Sequence, residues 1–405
     1  MRKSVLFIGA SYYNAYYLAR ELRKIGWKAT VLTYPGDMNE QFGHGWDIAL
    51  DFGGSPRAFM KRAAKVSRAF LSHRILHFSG VNNLRALYFL SPNRYPNPDG
   101  TDIRFLKRMG KKIVYSQSGC LDGVSQTSFG HWGDRPVCTD CIWRTNPVVC
   151  SDEKNLAWGR LRNELSDFQV NAGGNRADYN IDPRIHEVPE FYCLDPDVWS
   201  PDQAIPPEYR LQLPDKTVKI YHAVGNFDMR TNAQTQRNIK STHIYVPTIE
   251  RMKQSGLPVE LIFVKDVPNR VVRYYQLQAD IVVDMLTYGF YGANVREAMM
   301  LGKPVVCYLR PEWLATIRQE QPEFVDQLPI ISATPETVYG ILEDLVRNPE
   351  KRRAIGQRSR EFALRWHSSQ RAAQSFDRIY SDLLAGGPGL PPLQTKEYTK
   401  ALNPS

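Results

Sequence analysis

The chain has 405 residues, of which 42% are hydrophobic and 23% charged, and its net charge is +10. These values are typical of a globular protein with about two or three domains, and they exclude a disordered chain, a collagen and a small disulfide-stapled protein. No apolar run reaches the roughly 18–20 residues of a membrane-spanning helix, and the apolar stretch 5–8 is too short for a secretory signal. The positive charge would suit nucleic acid, an anionic membrane or a phosphate-bearing substrate, or it reflects solvated side chains alone.

Strands and helices are predicted to alternate along the first half of the chain. A continuous apolar run at 4–8 predicts a buried strand that ends at Gly9 and Ala10, and a helix over 14–26 precedes a second strand at 29–33. This βαβ unit predicts a parallel sheet covered by helices. Further strands are predicted at 47–50, 74–78 and 112–115, and helices at 56–70, 102–109 and 152–170.

A second alternation follows a segment rich in Pro and Asp, residues 194–214, which is the predicted interdomain linker. Strands are predicted at 218–223, 259–264, 281–284 and 304–308, and helices at 242–254, 270–278, 295–301, 335–346 and 349–384. The fold class is therefore α/β, with two Rossmann-like doubly wound domains that face a cleft. The domains are predicted at 1–193 and 215–370, with a helix at 371–385 that packs back on the first domain and a mobile tail at 386–405.

An irregular segment, residues 120–150, interrupts the first domain. It contains Cys120, Cys138, Cys141 and Cys150 in the spacing C-x17-C-x2-C-x8-C. Four thiolates form the ligand set of a tetrahedral structural zinc site, and a bound metal would hold a long irregular segment in place. We therefore predict a structural zinc ion. Buried free thiols and a redox C-x2-C pair are the alternatives, although the redox pair lacks its usual place at a helix N-terminus after a strand.

A glycine-rich loop runs directly into a helix near residue 292. The backbone N–H groups of Gly292, Ala293 and Asn294, together with the helix dipole, predict an anion-binding site. Glu297 lies about one turn into the helix and would accept hydrogen bonds from sugar or ribose hydroxyls. An ordinary capped loop with a solvated Glu is the alternative interpretation.

This loop resembles the donor-binding signature of glycosyltransferase family 4, E-G-F-G-x-x-x-x-E-A-M-A-x-G-x-P-V-V. The matching residues are 297–299 and 302–306, and the strand at 279–283 matches the one that precedes the signature. The first Glu of the family's E-x7-E pair falls on Gly289. The sequence Gly-Phe-Tyr-Gly at 289–292 resembles the G-W-Y-G variant of a subset of the family.

Two further segments carry the same resemblance. Arg237 and Lys240 resemble the R-x-x-K-G-T motif that holds the donor diphosphate, and they follow a strand and glycine turn that end at Gly225 and Asn226. Two cations can offset the charge of a diphosphate leaving group without a metal. The crossover between the two domains of the family resembles residues 186–201. A His-Gly pair of the family corresponds to Ser118-Gly119, so that the family's histidine is missing.

The resemblance spans about residues 185–385 and implies a GT-B fold and a retaining, metal-independent glycosyltransferase. Such an enzyme moves a sugar from a UDP- or GDP-sugar to an acceptor glycan, a lipid-linked saccharide or another acceptor. It implies that Arg237, Lys240 and Glu297 act in catalysis. The expected substrate-binding residues are Gly225, Asn226, Tyr291, Gly292, Ala293, Asn294, Gly9, Ala10, Ser118 and Gly119.

Location and partners follow from the same interpretation. We expect a cytoplasmic protein, and basic helices at 57–68 and 104–112 would suit contact with an anionic membrane at its inner face. Two alternatives to the transferase are a GT-B glucosyltransferase that modifies DNA and a GT-B binding or scaffold protein that has lost catalysis. No basic motif interleaved with aromatic residues favours nucleic acid.

Overall fold

The computed structural model describes residues 3–9, 12–33, 43–50, 54–80, 84–87, 90, 99–117, 119–120, 122–133, 135–171 and 176–393. The chain divides into two compact units. Unit 1 consists of the described residues within Met1–Ser128, Ser151–Cys193 and Ser369–Ser405. Unit 2 consists of those within Phe129–Cys150 and Leu194–Ser368.

Unit 1 is built on a sheet of seven parallel strands. Its strands are β1 (Ser4–Ile8), β2 (Lys28–Thr33), β3 (Ile48–Ala49), β4 (Ile75–Ser79), β5 (Lys112–Ser116), β6 (Phe168–Asn171) and β7 (Ile185–Glu187). They lie in the order β3-β2-β1-β4-β5-β6-β7, so the chain reverses its winding direction between β1 and β4. This is the order of a dinucleotide-binding sheet extended by one strand. β1 is buried along its whole length, as expected for a central strand covered on both faces.

Helices flank this sheet. They are α1 (Asn14–Lys24), α2 (Pro56–Ser72), α3 (Thr101–Arg108), α4 (Gln126–Gly130, which crosses into unit 2), α5 (Asp152–Leu165) and, at the end of the chain, α14 (Ser369–Ala385). α14 packs against α1, and its Asp377 accepts hydrogen bonds from Lys3 and Trp27, both at 2.7 Å. Asp122 and Arg162 form a fully buried ion pair at 3.0 Å behind β5.

Unit 2 has a sheet of five parallel strands. They are β8 (Val218–Val224), β9 (Val259–Lys265), β10 (Ile281–Val283), β11 (Val305–Cys307) and β12 (Ile331–Ser332). Their order is β12-β11-β10-β8-β9, so the winding direction reverses between β8 and β10. The helices are α6 (Phe227–Arg230), α7 (Thr242–Gln254), α8 (Asn269–Leu277), α9 (Ala293–Met300), α10 (Pro311–Glu320), α11 (Pro322–Gln327), α12 (Val338–Arg347) and α13 (Pro349–His367). Ligands of such sheets bind at the carboxyl ends of the strands beside the reversal.

Two helix predictions were wrong. The helix predicted over 152–170 ends at Leu165, and β6 follows because Phe168–Asn171 is buried on both faces and pairs with β5. The helix predicted over 349–384 breaks at Ser368, whose backbone is extended and forms a bridge with Leu194. The helix breaks where the chain leaves unit 2. Leu194, the bridge partner of Ser368, lies where the chain enters unit 2 after Cys193.

Three segments differ from the predicted domain boundaries. Residues 129–150 of the cysteine-rich segment and the whole of 194–214 belong to unit 2. The described part of the predicted tail is packed: Leu393 N donates to Pro183 O at 3.1 Å, and Gly389 N donates to Asp382 Oδ2 at 2.8 Å. Residues 394–405 lie outside the described residues.

No helix in the described part of the chain is long and apolar enough to cross a membrane.

Candidate active site

The segment between β8 and α7 brings two cations to the carboxyl ends of β8 and β10. Asn238, which is fully buried, fixes this segment: its Oδ1 accepts from Thr242 N and Oγ1 at 3.3 and 3.2 Å, and its Nδ2 donates to Thr231 Oγ1 at 3.2 Å. Ser241 has a φ of 62° and accepts from Leu286 N at 2.9 Å. The backbone around Lys240 is therefore held at both ends by buried polar contacts.

Lys240 is fixed by a buried carboxylate. Its Nζ lies 2.8 Å from Asp284 Oδ1, and the Asp284 side chain is fully buried at the end of β10. No described residue donates a hydrogen bond to Asp284 Oδ2. A Cβ placed on Gly292 would lie 3.8 Å from Lys240 Nζ and 4.0 Å from Asp284 Oδ2, so this ammonium lies beside the N-terminus of α9. A cation beside a helix N-terminus is an arrangement that favours anions, so anion binding here stays a prediction.

Arg237 is fixed in the same way by Asp140 of the cysteine-rich segment. Arg237 Nε donates to Asp140 Oδ1 at 2.7 Å; the Asp140 side chain is 1% exposed, whereas that of Arg237 is 49% exposed. His243 Nε2 lies 3.6 Å from Asp140 Oδ2. Burial lowers the pKa of His243, and the nearby Asp140 carboxylate opposes this while Arg237 adds to it. Asp140 Oδ2 and both ring nitrogens of His243 make no hydrogen bond to a described residue.

Glu297 lies in α9 with its side chain buried. Its Oε1 accepts from Asn269 Nδ2 at 2.8 Å. The hydroxyl of Tyr221 on β8 is also buried, and its pKa is raised by burial and by the negative charges of Glu297 and Asp284. The hydrogen bond from Asn269 holds Glu297 to the first residue of α8.

Gly289 stands where a side chain has no room. Its φ is 89°, and a Cβ there would lie 2.6 Å from Arg310 Cβ. Arg310 is fully buried and donates to Arg135 O at 3.0 Å, to Thr287 O at 3.2 Å and to Trp132 O. The guanidinium therefore ties the loop before α9 to the cysteine-rich segment, and the family's first Glu could not be placed at 289 without moving it.

Tyr291 does not present its side chain to a ligand. It is 1% exposed, its hydroxyl lies 3.0 Å from His367 Nε2, and burial raises its pKa. The side chain of Tyr291 therefore packs in unit 2, and its role in substrate binding stays a prediction. Gly292 and Ala293 follow it at the start of α9. Asn294 is held by Gln276, whose Nε2 donates to Asn294 Oδ1 at 2.8 Å. Gly225 and Asn226 follow β8, and Asn226 has a φ of 53°.

The fold can now be compared with known proteins. No family model matches this sequence, and no curated protein is significantly similar to it. Solved structures do match. Sucrose-phosphate synthase from Thermosynechococcus elongatus is 15% identical with a TM-score of 0.55, and the match covers 95% of this chain and 100% of that one.

Two further solved structures also match most of this chain at low sequence identity. HepE from Anabaena, in complex with UDP and glucose, is 14% identical with a TM-score of 0.53 over 93% of this chain and 99% of that one. The catalytic domain of starch synthase IV from Arabidopsis thaliana, bound to ADP and acarbose, is 10% identical with a TM-score of 0.53 over 95% and 99%. All three are GT-B glycosyltransferases. The chain has the GT-B fold.

Unit 1 of this GT-B chain holds the other predicted contacts. Gly9 follows β1 and has a φ of 78°, and Gly119 follows β5 with a φ of 76°. Ala10 and Ser118 lie outside the described residues. His77 on β4 is fully buried between Tyr380 Oη and Ser116 Oγ, both at 2.6 Å, and burial lowers its pKa to about 3. His77 is therefore a neutral core residue.

The structure does not support the predicted zinc site. Burial raises the pKa of Cys138 to about 11, with further contributions from Cys141 and Cys150. Across the described ranges, no three His, Cys, Asp or Glu side chains are grouped so that they could hold a metal ion. None of these four cysteines forms a disulfide bond with a described residue.

Neither carboxylate of the unit 2 site was predicted from the sequence. Asp284 could have been predicted as a site residue, because it directly follows an apolar strand and therefore lies at the edge of the sheet where ligands bind. Nothing in the sequence marked Asp140 as a site residue: it lies within Cys-Thr-Asp-Cys, 97 residues before its partner Arg237. His243, the neighbour of Asp140, was likewise unassigned.

Proposed function

We propose that this protein is a glycosyltransferase that takes a sugar from a nucleotide-diphosphate donor. The observation that carries the proposal is the pair Arg237 and Lys240, each held by a buried carboxylate at the reversal point of the unit 2 sheet. Two fixed cations, of which Lys240 lies beside a helix N-terminus, suit the charge of a diphosphate. HepE and starch synthase IV, which share the fold, were solved with UDP and ADP, nucleotides of this class.

Each residue of the site has a role in this proposal. When the bond between the sugar C1 and the donor phosphate breaks, the diphosphate leaves with increased negative charge. Arg237 and Lys240 offset that charge, and they need no metal to do so. Glu297 would accept hydrogen bonds from hydroxyls of the donor. The acceptor oxygen forms the new bond to C1, and its proton passes to the departing diphosphate. In a retaining reaction the new bond forms on the face that the leaving group vacates.

The test is a panel of UDP-, GDP- and ADP-sugars incubated with the full chain. We expect thermal stabilisation by one nucleotide class and slow release of the corresponding nucleoside diphosphate. Arg237→Gln should abolish the release. Because Arg237 also balances buried Asp140, the variant's folding is checked by circular dichroism. Once an acceptor is found, the anomeric proton signal of the product decides between retention and inversion. No stabilisation by any nucleotide sugar would overturn the proposal.

A second candidate, binding of a nucleotide sugar without turnover, rests on Gly289. Arg310 and the φ of 89° leave no place there for the Glu that the family signature carries. If that Glu contact is indispensable, the site would bind a donor and not turn it over. Saturable binding of a nucleotide sugar with no release of nucleoside diphosphate over many hours would favour this candidate. Release that depends on Arg237 would exclude it.

A further inference from the structure

Two helices of unit 1 are rich in basic residues, and they differ in how their charges are balanced. On α3 (Thr101–Arg108), two of the three cations have carboxylate partners. Arg104 Nη2 lies 2.7 Å from Glu164 Oε1, and Lys107 Nζ lies 2.9 Å from Asp167 Oδ1. Most of the positive charge of α3 is thus offset within unit 1 itself.

Three exposed cations of α2 are not balanced in this way. The helix contains no acidic residue and five basic ones: Arg57, Lys61, Arg62, Lys65 and Arg68. Arg57, Lys61 and Lys65 are exposed, and none of them pairs with a carboxylate of a described residue. Their spacing of four places them in one row, where like charges destabilise the helix. An anion bound along the row would remove this repulsion.

A pocket of about 470 Å³ lies along the row. Four of the cations line it, together with Leu50, Ser55 and Ala58, and its described lining includes no acidic residue. Arg62 is 7% exposed and is held by Leu90 O, to which its Nε and Nη2 donate at 3.0 and 2.9 Å. Leu50 directly follows β3, so the pocket lies at the carboxyl end of a strand, where Rossmann-like sheets bind ligands.

We propose that this pocket binds the phosphate group of a phosphorylated ligand. Phosphate accepts several charge-assisted hydrogen bonds, from an Arg fork and from Lys ammonium groups at once. The volume is within the roughly 300–1,000 Å³ of small-molecule sites, so the ligand includes more than a phosphate, either a sugar ring or a lipid head group. Anion binding here does not depend on the proposed function; only the assignment of the ligand as the sugar acceptor rests on it.

Pyrophosphate is a suitable probe, titrated by calorimetry into the full chain. The measurement is made in a Lys240→Gln background, which removes the ammonium of the unit 2 site from the comparison. Lys65→Gln is then compared with Arg68→Gln, a cation on the same helix that does not line the pocket. We expect Lys65→Gln to weaken pyrophosphate binding about five- to tenfold and Arg68→Gln to change it less than about twofold.

Vesicles distinguish the two sources of phosphate. The same variants are mixed with vesicles of phosphatidylcholine alone and of phosphatidylcholine with phosphatidylglycerol. Pyrophosphate binding without vesicle binding assigns a soluble phosphorylated ligand. Binding to the anionic vesicles that is lost in Lys65→Gln and kept in Arg68→Gln assigns a lipid head group. Equal losses in the two variants, or no binding of either probe, would overturn the proposal.

Discussion

Arg237 and Asp140 lie 97 residues apart in sequence, yet Arg237 Nε donates to Asp140 Oδ1 at 2.7 Å. The contact joins the cysteine-rich segment to the loop that carries both proposed phosphate-binding cations. It uses the Nε group of the guanidinium, and the two terminal amino groups make no hydrogen bond to a described residue. A half-exposed Arg anchored through Nε is partly preorganised, because less side-chain entropy is lost when a ligand binds.

Asp140→Asn is expected to weaken donor binding with the fold preserved. Asn keeps the size of Asp and can still accept from Arg237, but a neutral acceptor holds a guanidinium less strongly than a carboxylate. The loss of a charge-assisted bond of about 1.4 kcal/mol corresponds to a rise in donor KM of about tenfold. Steady-state kinetics with the donor identified by the panel measures KM and kcat separately.

Glu336→Gln is the matched control for this variant. It removes the exposed contact of Arg135 with Glu336 at 3.1 Å, which also attaches the cysteine-rich segment but does not touch Arg237. Exposed pairs contribute little, so donor KM and stability should both stay near the wild-type values. An unchanged donor KM in Asp140→Asn, or an equal rise in both variants, would contradict a specific role for Asp140.

The sheets of both units could be predicted from the sequence because their central strands are continuous apolar runs. The run at 4–8 became β1, and the predicted helix at 242–254 matches α7. The error at 152–170 has a physical origin: Phe168–Asn171 follows the helix after two residues, and Phe, Gln and Val do not distinguish a last helical turn from a short buried strand. Only the pairing of these residues with β5 shows that they form a strand.

The site residues predicted from the sequence are those that lie in local sequence patterns. Gly292 and Lys240 were predicted because glycine turns and cations recur next to helix N-termini in the family resembled, and the structure places them side by side. Asp140 and Arg310 were not found, since their partners are fixed by the packing of residues 129–150 on unit 2. No composition or spacing rule assigns an irregular segment to the second unit rather than the first. Long-range polar contacts of this kind are visible only in three dimensions.

Gly292→Ala is expected to leave the fold intact and to weaken anion binding. A Cβ at this position would contact Lys240 Nζ at 3.8 Å and Met285 Cε at 3.9 Å, which are ordinary packing distances. The methyl group would occupy space beside the ammonium that an anion needs. We expect affinity for the preferred nucleoside diphosphate to fall about tenfold, or about 1.4 kcal/mol, by calorimetry. Gly340→Ala, in open space on α12, should raise stability by about 0.5–1 kcal/mol and leave affinity unchanged.

Gly289→Glu, which restores the family signature, is expected to harm the protein. A side chain at φ 89° adds strain of about 1–3 kcal/mol, and its Cβ would collide with Arg310. Displacing Arg310 would also leave the carbonyls of Thr287 and Arg135 without their donor. Chemical denaturation should show a loss of at least about 2 kcal/mol, without a gain in activity. A variant as stable as the wild type and more active would show that the site accepts the Glu after all.

Acid should destabilise both units through buried histidines. Burial lowers the pKa of His77 to about 3 and that of His222 to about 4, from 6.5 in an unfolded chain. Below pH 6.5 the unfolded chain therefore takes up protons that the folded chain does not, so stability is full above pH 6.5 and falls as the pH approaches these lower values. Each histidine contributes a slope of about 1.4 kcal/mol per pH unit.

His77→Gln isolates the contribution of unit 1. Between pH 6 and pH 4.5, the slope of its unfolding free energy against pH should be smaller than that of the wild type by about 1.4 kcal/mol per pH unit, because one titrating group is gone. Urea unfolding at a series of pH values measures the slope. Tyr380→Phe removes the hydroxyl that lies 2.6 Å from His77 Nδ1 and keeps the imidazole, so it should lower stability but retain the slope. An undiminished slope in His77→Gln would mean that His77 titrates alike in the folded and unfolded chains, and that burial does not keep it neutral.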